Sequence, residues 1–278
     1  MTVYLAHFGL NQLPFGITPD TEFAYPSKSH REGINLLHFA LTSGEGFIKV
    51  VGEIGTGKTL LCRSFLRELP PDWQAAYIPN PQMDPRELLL EIADELGTAE
   101  GAKDISRLVK RINQRLIEIA AEGRKVVLCI DEAQTMPRMT LESLRLLSNL
   151  ETEKRKLLHI ILFGQPELDE MLSTHATRQI RQRIAFAHRL RHLDAEEVRS
   201  YVEQRLSTAG YRGEPLFTRA ALRALYHRSG GTPRLVNILA NKALLAAFGE
   251  GRVHVGPSHV KAAARDTDGA LSKPWWVW

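Results

Sequence analysis

Residues 52–59 carry the clearest chemical signal in the sequence, since they read G-E-I-G-T-G-K-T. The octapeptide matches the pattern G-x-x-x-x-G-K-[ST], in which glycines let backbone N–H groups wrap phosphate oxygens. We expect Lys58 to reach the β- and γ-phosphates of a nucleotide and Thr59 to coordinate Mg²⁺. A chance glycine-rich turn is the alternative, but an apolar run precedes the motif and a helix-like run follows it. The predicted nucleotide-binding residues are Gly52, Glu53, Ile54, Gly55, Thr56, Gly57, Lys58, Thr59 and Leu60.

Two adjacent carboxylates, Asp131 and Glu132, follow the apolar run 126–130. A carboxylate at the end of a buried strand can hold Mg²⁺ directly or through water, and this is the role predicted for Asp131. Glu132 is predicted to orient or deprotonate an attacking water. Taken alone, the pair also fits two solvated acidic residues at a strand end. Together with the upstream phosphate-binding motif, it predicts hydrolysis of a nucleoside triphosphate.

Four further residues are candidates for contacts with the γ-phosphate. Gln165 follows the fourth apolar run, and ligands of open α/β sheets bind at the ends of such strands. Arg181 and Arg183 precede the fifth run, where an arginine is expected to reach the nucleotide of a neighbouring subunit. Arg234 lies in G-G-T-P-R at a predicted helix start and is a candidate sensor of the γ-phosphate. For each residue the alternative is a side chain with only local or solvent contacts.

The elements that must position these residues are predicted to be strands alternating with helices. Short apolar runs separated by helical patterns are typical of a mostly parallel sheet covered by helices, which makes the fold class α/β. One predicted helix begins at Asp84, and leucines 141, 144, 147 and 150 form a stripe at helical spacing in another. The predicted strands are 47–51, 75–78, 126–130, 158–163 and 184–190.

Strand signals stop after Leu193, which predicts a second, smaller domain made only of helices. Its helical segments are 195–208, 218–229 and 233–248, separated by turns that contain glycine. The sequence therefore predicts a nucleotide-binding α/β domain, a helical lid domain and a tryptophan-rich tail. Their bounds are 1–191, 192–268 and 269–278.

Composition places the chain among ordinary globular proteins and excludes collagen-like or disordered classes. Of its 278 residues, 44% are hydrophobic and 24% are charged, and the net charge of +4 permits contact with nucleic acid or anionic lipid. The two cysteines are too far apart for a zinc or disulfide framework, which favours a reducing compartment. Neither a signal peptide nor an apolar run of about 18 residues is visible, so we expect a cytoplasmic location or one peripheral to a membrane.

Taken together, these motifs resemble those of the AAA+ ATPases. The N-terminal stretch 4–25, with Phe8-Gly9-Leu10 and Pro14-Phe15, is similar to that of the ExeA (GspA) and MshM group within them, and the resemblance covers nearly the whole chain. The group comprises bacterial ATPases associated with type II secretion and with type IV pili of the mannose-sensitive haemagglutinin type. The resemblance implies ATP or ADP with Mg²⁺ and a ring-like homo-oligomer. It also implies Walker A roles for Lys58 and Thr59, Walker B roles for Asp131 and Glu132, and sensor roles for Gln165 and Arg234.

The C-terminal tail departs from an ordinary polar terminus because it contains Trp275, Trp276 and Trp278. Tryptophans at a terminus are amphipathic anchors, so we expect either docking on a membrane or partner, or packing against the chain's own lid. ExeA-like proteins continue into a membrane span and a peptidoglycan-binding region, whereas MshM is closer in length to this chain. A truncation point is therefore a further interpretation of the tail.

Three functions fit the sequence. The first is an ATPase that supports assembly of a pilus or secretion apparatus at the inner membrane, with pilus or secretion proteins as partners. The second is a nucleic-acid-dependent transposition helper, which the mild basicity and arginine-rich helices permit. The third is a scaffold that is gated by ATP binding and hydrolyses ATP slowly. The presence of both Walker B carboxylates favours an active ATPase over this interpretation. The segment 8–20 favours the first of these.

Overall fold

The computed structural model describes residues 4–98, 104–147 and 156–271. The chain divides into two compact units, an α/β unit and a helical unit. The α/β unit comprises Lys28–Ile54 and Leu61–Leu190. The helical unit comprises the described residues of Met1–Ser27, Gly55–Leu60 and Arg191–Trp278.

The α/β unit is built on a five-stranded parallel sheet, as the apolar runs predict. Its strand order is β2-β3-β4-β1-β5, so β1, β3 and β4 are covered by a neighbour on each side. Buried parallel strands are continuously apolar, which is why the sequence signal was clear for these three. The strands are β1 Phe47–Gly52, β2 Trp73–Ile78, β3 Lys125–Ile130, β4 His159–Gly164 and β5 Ile184–Leu190.

The predicted helices are present, and the structure contains further helices that the sequence analysis did not predict. In chain order they are α1 Leu5–Phe8, α2 Lys28–Thr42, α3 Lys58–Glu68, α4 Pro85–Glu95, α5 Ile105–Ala121, α6 Arg138–Leu147, α7 Glu167–Ser173, α8 Arg178–Arg181, α9 Ala195–Thr208, α10 Arg219–Ser229, α11 Pro233–Gly249 and α12 Pro257–Arg265. The sequence analysis did not predict α12, whose Gly256-Pro257 start also marks turns.

Helix α4 begins as the sequence predicts, at a capping box. The Asp84 side chain accepts hydrogen bonds from the backbone N–H groups of Arg86 at 2.7 Å and Glu87 at 2.9 Å. The Glu87 carboxylate in turn accepts the N–H of Asp84 at 3.0 Å. Pro85 occupies the first helical position, where no N–H is needed. The leucine stripe of α6 is buried at 141, 144 and 147, whereas Leu150 lies outside the described residues.

The helical unit has its own apolar core, and the N-terminal segment contributes to it. Tyr4, Phe8, Phe15 and Phe23 are buried together with apolar residues of α9, α10 and α11. The compact units therefore group the first 27 residues with the C-terminal helices, whereas the sequence analysis put them in a domain of residues 1–191. The aromatic and turn residues of the N-terminal segment form no periodic pattern, so the sequence did not indicate that they pack against the C-terminal helices. The division into nucleotide-binding and lid domains stays a prediction.

A buried arginine of α9 forms hydrogen bonds to the backbone of the N-terminal segment. Arg205 is 6% exposed, and its Nε donates to the carbonyl oxygen of Pro14 at 2.6 Å. Its guanidinium also donates to the Tyr201 hydroxyl at 3.1 Å and lies 4.8 Å from the ring centroid of Phe23. The amide of Asn237 donates to Gly16 at 3.0 Å. These contacts satisfy backbone carbonyls that the irregular segment cannot pair by itself.

Within residues 4–98, 104–147 and 156–271, no helix is both long and apolar enough to cross a membrane. The tryptophans of the predicted tail lie outside the described residues.

Candidate functional site

The phosphate-binding motif connects β1 to α3, as its pattern requires. Gly52 ends β1 and Lys58 begins α3, so the N–H groups of the first helical turn adjoin the loop. Gly55 and Gly57 have φ angles of 81° and 95°, a backbone conformation that glycine adopts without strain. Ile54 is 60% exposed on the loop. This geometry is that of an anion-binding loop at a helix N-terminus.

The polar residues of the loop are buried. Thr56 is fully buried and Lys58 is 5% exposed, although a lysine ammonium is normally solvated. Thr59 and Leu60 are partly buried in the first turn of α3. Backbone N–H groups at a helix N-terminus, together with a lysine in the same loop, suit a polyanionic ligand such as a triphosphate. The predicted roles of Lys58 and Thr59 stay predictions, and their positions fit them.

Arg234 contacts the loop through its backbone. Its N–H donates to the carbonyl oxygen of Gly55 at 3.3 Å, and both residues belong to the helical unit. A Cβ atom on Gly55 would lie 2.7 Å from Cβ of Arg234 and 3.2 Å from Cγ2 of Thr232. Only glycine therefore fits at position 55. The structure brings the loop and the predicted sensor arginine together, with the side chain of Arg234 exposed.

The turn before α11 explains why the sequence reads G-G-T-P-R. Gly231 has a φ of 73°, and a Cβ atom there would lie 2.0 Å from the carbonyl oxygen of Leu193. The N–H of Leu193 donates to the carbonyl oxygen of Gly231 at 2.9 Å, so the two backbones are hydrogen-bonded where they approach closely. Pro233 then occupies the first helical position of α11. The local sequence thereby sets where α11 begins and where Arg234 lies.

Asp131 and Glu132 lie at the carboxyl end of β3. Asp131 is 2% exposed, and its Oδ1 accepts the backbone N–H of Glu132 at 2.9 Å. Glu132 has a φ of 49° and is the single residue other than glycine with a positive φ in the described part of the chain. This conformation costs about 1 kcal/mol or more outside glycine. Backbone strain of this kind concentrates at functional sites, and here it falls on the predicted base.

The structure brings Gln165 and Glu132 together, which sequence order alone only suggested. Nε2 of Gln165 donates to Oε2 of Glu132 at 3.1 Å. A second glutamine, Gln134, donates its Nε2 to the same oxygen at 2.6 Å. The backbone N–H of Gln165 donates to Oε1 of Gln134 at 3.0 Å, which links the three residues. Sequence reasoning missed Gln134, although an amide two residues after a carboxylate pair at a strand end was a usable signal.

Burial and the charge of Asp131 affect two ionisable side chains near the end of β3. A hydrogen bond with Cys129, burial and the charge of Asp131 raise the pKa of the Cys62 thiol well above its usual value. Burial raises the pKa of Tyr77 to about 12, and the charge of Asp131 acts in the same direction. The protein ligands of Mg²⁺ in nucleotide sites are carboxylate and hydroxyl oxygens. Asp131 and Thr59 therefore have the right donor chemistry for that ion.

The predicted finger arginines lie directly before β5. Arg181 ends α8 and is exposed, and Arg183 is partly buried one residue before β5 begins. The N–H of Arg183 donates to the carbonyl oxygen of Ile180 at 2.9 Å, which fixes the turn between them. Both residues therefore lie in the segment that leads into β5. Their contact with a neighbouring subunit stays a prediction.

The model of an AAA domain matches residues 41–172, which include the phosphate-binding loop, the carboxylate pair and Gln165. General secretion pathway protein A of Aeromonas hydrophila is 39% identical over 275 residues, which is 99% of this chain and 50% of that protein. The chain thus spans about half the length of the curated relative that it matches.

Solved structures show the same fold at low identity. Cdc6p of Pyrobaculum aerophilum has a TM-score of 0.68 at 19% identity, covering 91% of this chain and 72% of that one. The ORC2 protein of Aeropyrum pernix, solved with ADPNP and ADP, has a TM-score of 0.66 at 17% identity, covering 92% and 73%. The branch migration motor RuvB of Thermotoga maritima has a TM-score of 0.57 at 16% identity, covering 92% and 73%. These likenesses concern the fold alone.

Proposed function

We propose, on the premise that this chain is an AAA+ ATPase of the ExeA/GspA type, that it binds and hydrolyses ATP to support assembly of a secretion or pilus apparatus. The observation that carries the catalytic part is the hydrogen bonding of Glu132 and Gln165 at the carboxyl ends of β3 and β4. Ligands of open α/β sheets bind at this edge. A carboxylate held there by amide donors suits the deprotonation of a water.

Each predicted residue takes one part of the reaction. Lys58 and the loop N–H groups bind the β- and γ-phosphates, while Thr59 and Asp131 hold Mg²⁺. Mg²⁺, when bound, supplies positive charge that offsets the negative charge of the phosphates. Glu132 orients the water and accepts its proton, and Gln165 contacts the γ-phosphate or the water. Arg234 reports the γ-phosphate to α11, whose start already contacts the loop at Gly55.

Two variants test the catalytic part. Lys58→Ala removes the phosphate-binding cation, and we expect loss of nucleotide binding and of phosphate release. Glu132→Gln keeps the size of the side chain but removes the base, and we expect ATP to bind while turnover falls by about 100-fold or more. Gln114→Ala is the control, because Gln114 is exposed on α5 and its one hydrogen bond to a described side chain goes to Glu118. Undiminished phosphate release by Lys58→Ala would overturn the assignment.

The assembly role rests on the relationship to general secretion pathway protein A and on the N-terminal segment 4–25. We propose a homo-oligomer, ring-like as in other AAA+ proteins, that works at the inner face of the inner membrane with pilus or secretion proteins as partners. Peripheral contact would run through the tryptophan-rich tail. Flotation with liposomes tests this contact, by comparing the whole chain with a chain that lacks residues 269–278. Equal unbound fractions for the two proteins would count against membrane docking.

A nucleic-acid-dependent transposition helper is the second candidate. It draws on the net charge of +4 and on the fold, since the ORC1 protein of Aeropyrum pernix, solved in complex with DNA, has a TM-score of 0.65. Binding through phosphate contacts gives an affinity that falls steeply with salt. Fluorescence anisotropy with a labelled duplex at low salt tests it. Absence of binding there would dismiss this function and leave the assembly role.

A further inference from the structure

We infer that Gln134 is a positioning residue for ATP hydrolysis, because its side-chain amide connects the Glu132 carboxylate to the backbone of Gln165. The inference rests on the proposed role of Glu132 as the base. It assigns to Gln134 the task of holding that carboxylate in one orientation at the end of β3.

The hydrogen bonds determine the orientation of the Gln134 amide. The backbone N–H of Gln165 can only donate, so the atom of Gln134 that it contacts at 3.0 Å must be the oxygen. The amide nitrogen is therefore the atom that contacts Oε2 of Glu132 at 2.6 Å. Because exchanging the oxygen and nitrogen would break both contacts, the amide has one acceptable orientation. Gln134 thus acts as a fixed donor toward the carboxylate.

The backbone around Gln134 places its side chain for this contact. The left-handed conformation of Glu132 starts a tight turn over Ala133–Thr135, and both the N–H and the hydroxyl of Thr135 donate to the carbonyl oxygen of Glu132, at 2.9 and 2.8 Å. A Cβ atom on Gly164 would lie 2.7 Å from Cδ2 of Leu168 and 3.1 Å from Oε1 of Gln134. Glycine before Gln165 therefore leaves room for both the Leu168 side chain and the amide. The turn after Glu132 is what places the Gln134 side chain for its contacts.

The two carboxylate oxygens of Glu132 differ in their hydrogen bonds. Oε2 accepts from both glutamines, whereas Oε1 has no hydrogen-bond donor among the described residues. In the proposed reaction Oε1 accepts a proton from water while the water oxygen bonds to the γ-phosphorus. The bond from that phosphorus to the β–γ bridging oxygen breaks, and ADP leaves with the electron pair. Two donors on Oε2 hold the carboxylate in one orientation, with Oε1 toward the water.

Two substitutions of Gln134 test the inference by single-turnover hydrolysis of bound ATP. Gln134→Ala removes the donor, and we expect the hydrolysis rate to fall by about 10- to 100-fold with nucleotide affinity within about twofold. Gln134→Glu still accepts the Gln165 N–H, but its ionised carboxylate cannot donate to Glu132. We expect a similar loss at about pH 8 and partial recovery toward about pH 5, where the new carboxyl gains a proton. Gln134→Ala has no such group and shows no recovery.

Glu132→Gln and Gln114→Ala run beside these variants, and thermal melting of every protein checks the fold. Unchanged hydrolysis by Glu132→Gln would overturn the proposed function itself. Loss of hydrolysis in Glu132→Gln, together with a rate for folded Gln134→Ala equal to that of the unsubstituted protein, would overturn the inference alone. If Gln134→Ala does not fold, the pH profile of Gln134→Glu decides. A ratio of its hydrolysis rate to that of the unsubstituted protein that stays constant across pH would count against the inference.

Discussion

The backbone N–H of Arg234 donates to the carbonyl oxygen of Gly55 at 3.3 Å, so the first turn of α11 contacts the phosphate-binding loop without using the arginine side chain. The side chain stays exposed at this point. The hydrogen bond between the loop and α11 therefore does not depend on which side chain stands at position 234.

Gly55→Ala tests the importance of this close approach. The new Cβ would require φ to stay at 81° and would lie 2.7 Å from Cβ of Arg234, so we expect lower stability and at least tenfold weaker ATP binding. Gly251→Ala is the matched control, because Gly251 has a φ of 64° and nothing within 4 Å of the added carbon. We expect it to cost about 1 kcal/mol of stability and to leave ATP affinity unchanged. Equal ATP affinity in both variants, measured with a fluorescent analogue, would contradict the role of the contact.

Mixing variants tests the predicted finger arginines. If Arg181 acts on the nucleotide of a neighbouring subunit, Arg181→Ala has an intact loop but a defective finger, and Lys58→Ala has the reverse. We expect little turnover from either alone and partial recovery in an equal mixture, because some boundaries then combine an intact loop with an intact arginine. The control mixes Arg181→Ala with the double variant that lacks both residues. The same experiment with Arg183→Ala shows which of the two arginines acts, and recovery in neither mixture would rule out both Arg181 and Arg183 as the finger.

Arg205→Ala tests the attachment of the N-terminal segment. The substitution removes a buried guanidinium and leaves the carbonyl of Pro14 and the hydroxyl of Tyr201 without this donor. We expect a loss of about 3 kcal/mol in the free energy of unfolding, and faster proteolysis within residues 10–20. Arg199→Ala, on the same helix, removes an exposed arginine paired with Glu203 at 3.0 Å and should change neither. Urea denaturation and limited proteolysis measure both effects, and equal behaviour of the two variants would show that the buried cluster is unimportant.

His159 predicts how stability depends on pH. Burial lowers the pKa of His159 below its ordinary value of 6.5, although Nδ1–H donates to the Glu45 carbonyl at 2.7 Å. The unfolded chain therefore binds more protons than the folded one just below pH 6.5, and stability falls as the pH decreases through this window. We expect His159→Gln to reduce this slope by at most about 1.4 kcal/mol per pH unit. Urea denaturation across the window measures it, with exposed His175→Gln as control, and an unchanged slope would contradict the shift.

The sequence by itself determined the chemistry and the chain order of the site. The loop 52–59, the pair Asp131 and Glu132, and Gln165 each follow an apolar run long enough for one buried strand, and these runs became β1, β3 and β4. Such signals are local, because a strand, a glycine loop and a helix start are each specified by a few consecutive residues. The parallel α/β sheet was predictable for the same reason.

Only the tertiary structure decided which of these residues meet. Gln134 and Gln165 are 31 positions apart, and their contact depends on β3 and β4 being neighbours in the sheet. The position of Arg234 at Gly55 and the burial of the N-terminal aromatic residues against α9 to α11 likewise depend on packing between distant segments. No local pattern records such partners, because many apolar faces fit one another about equally well and the choice is made by the whole core at once.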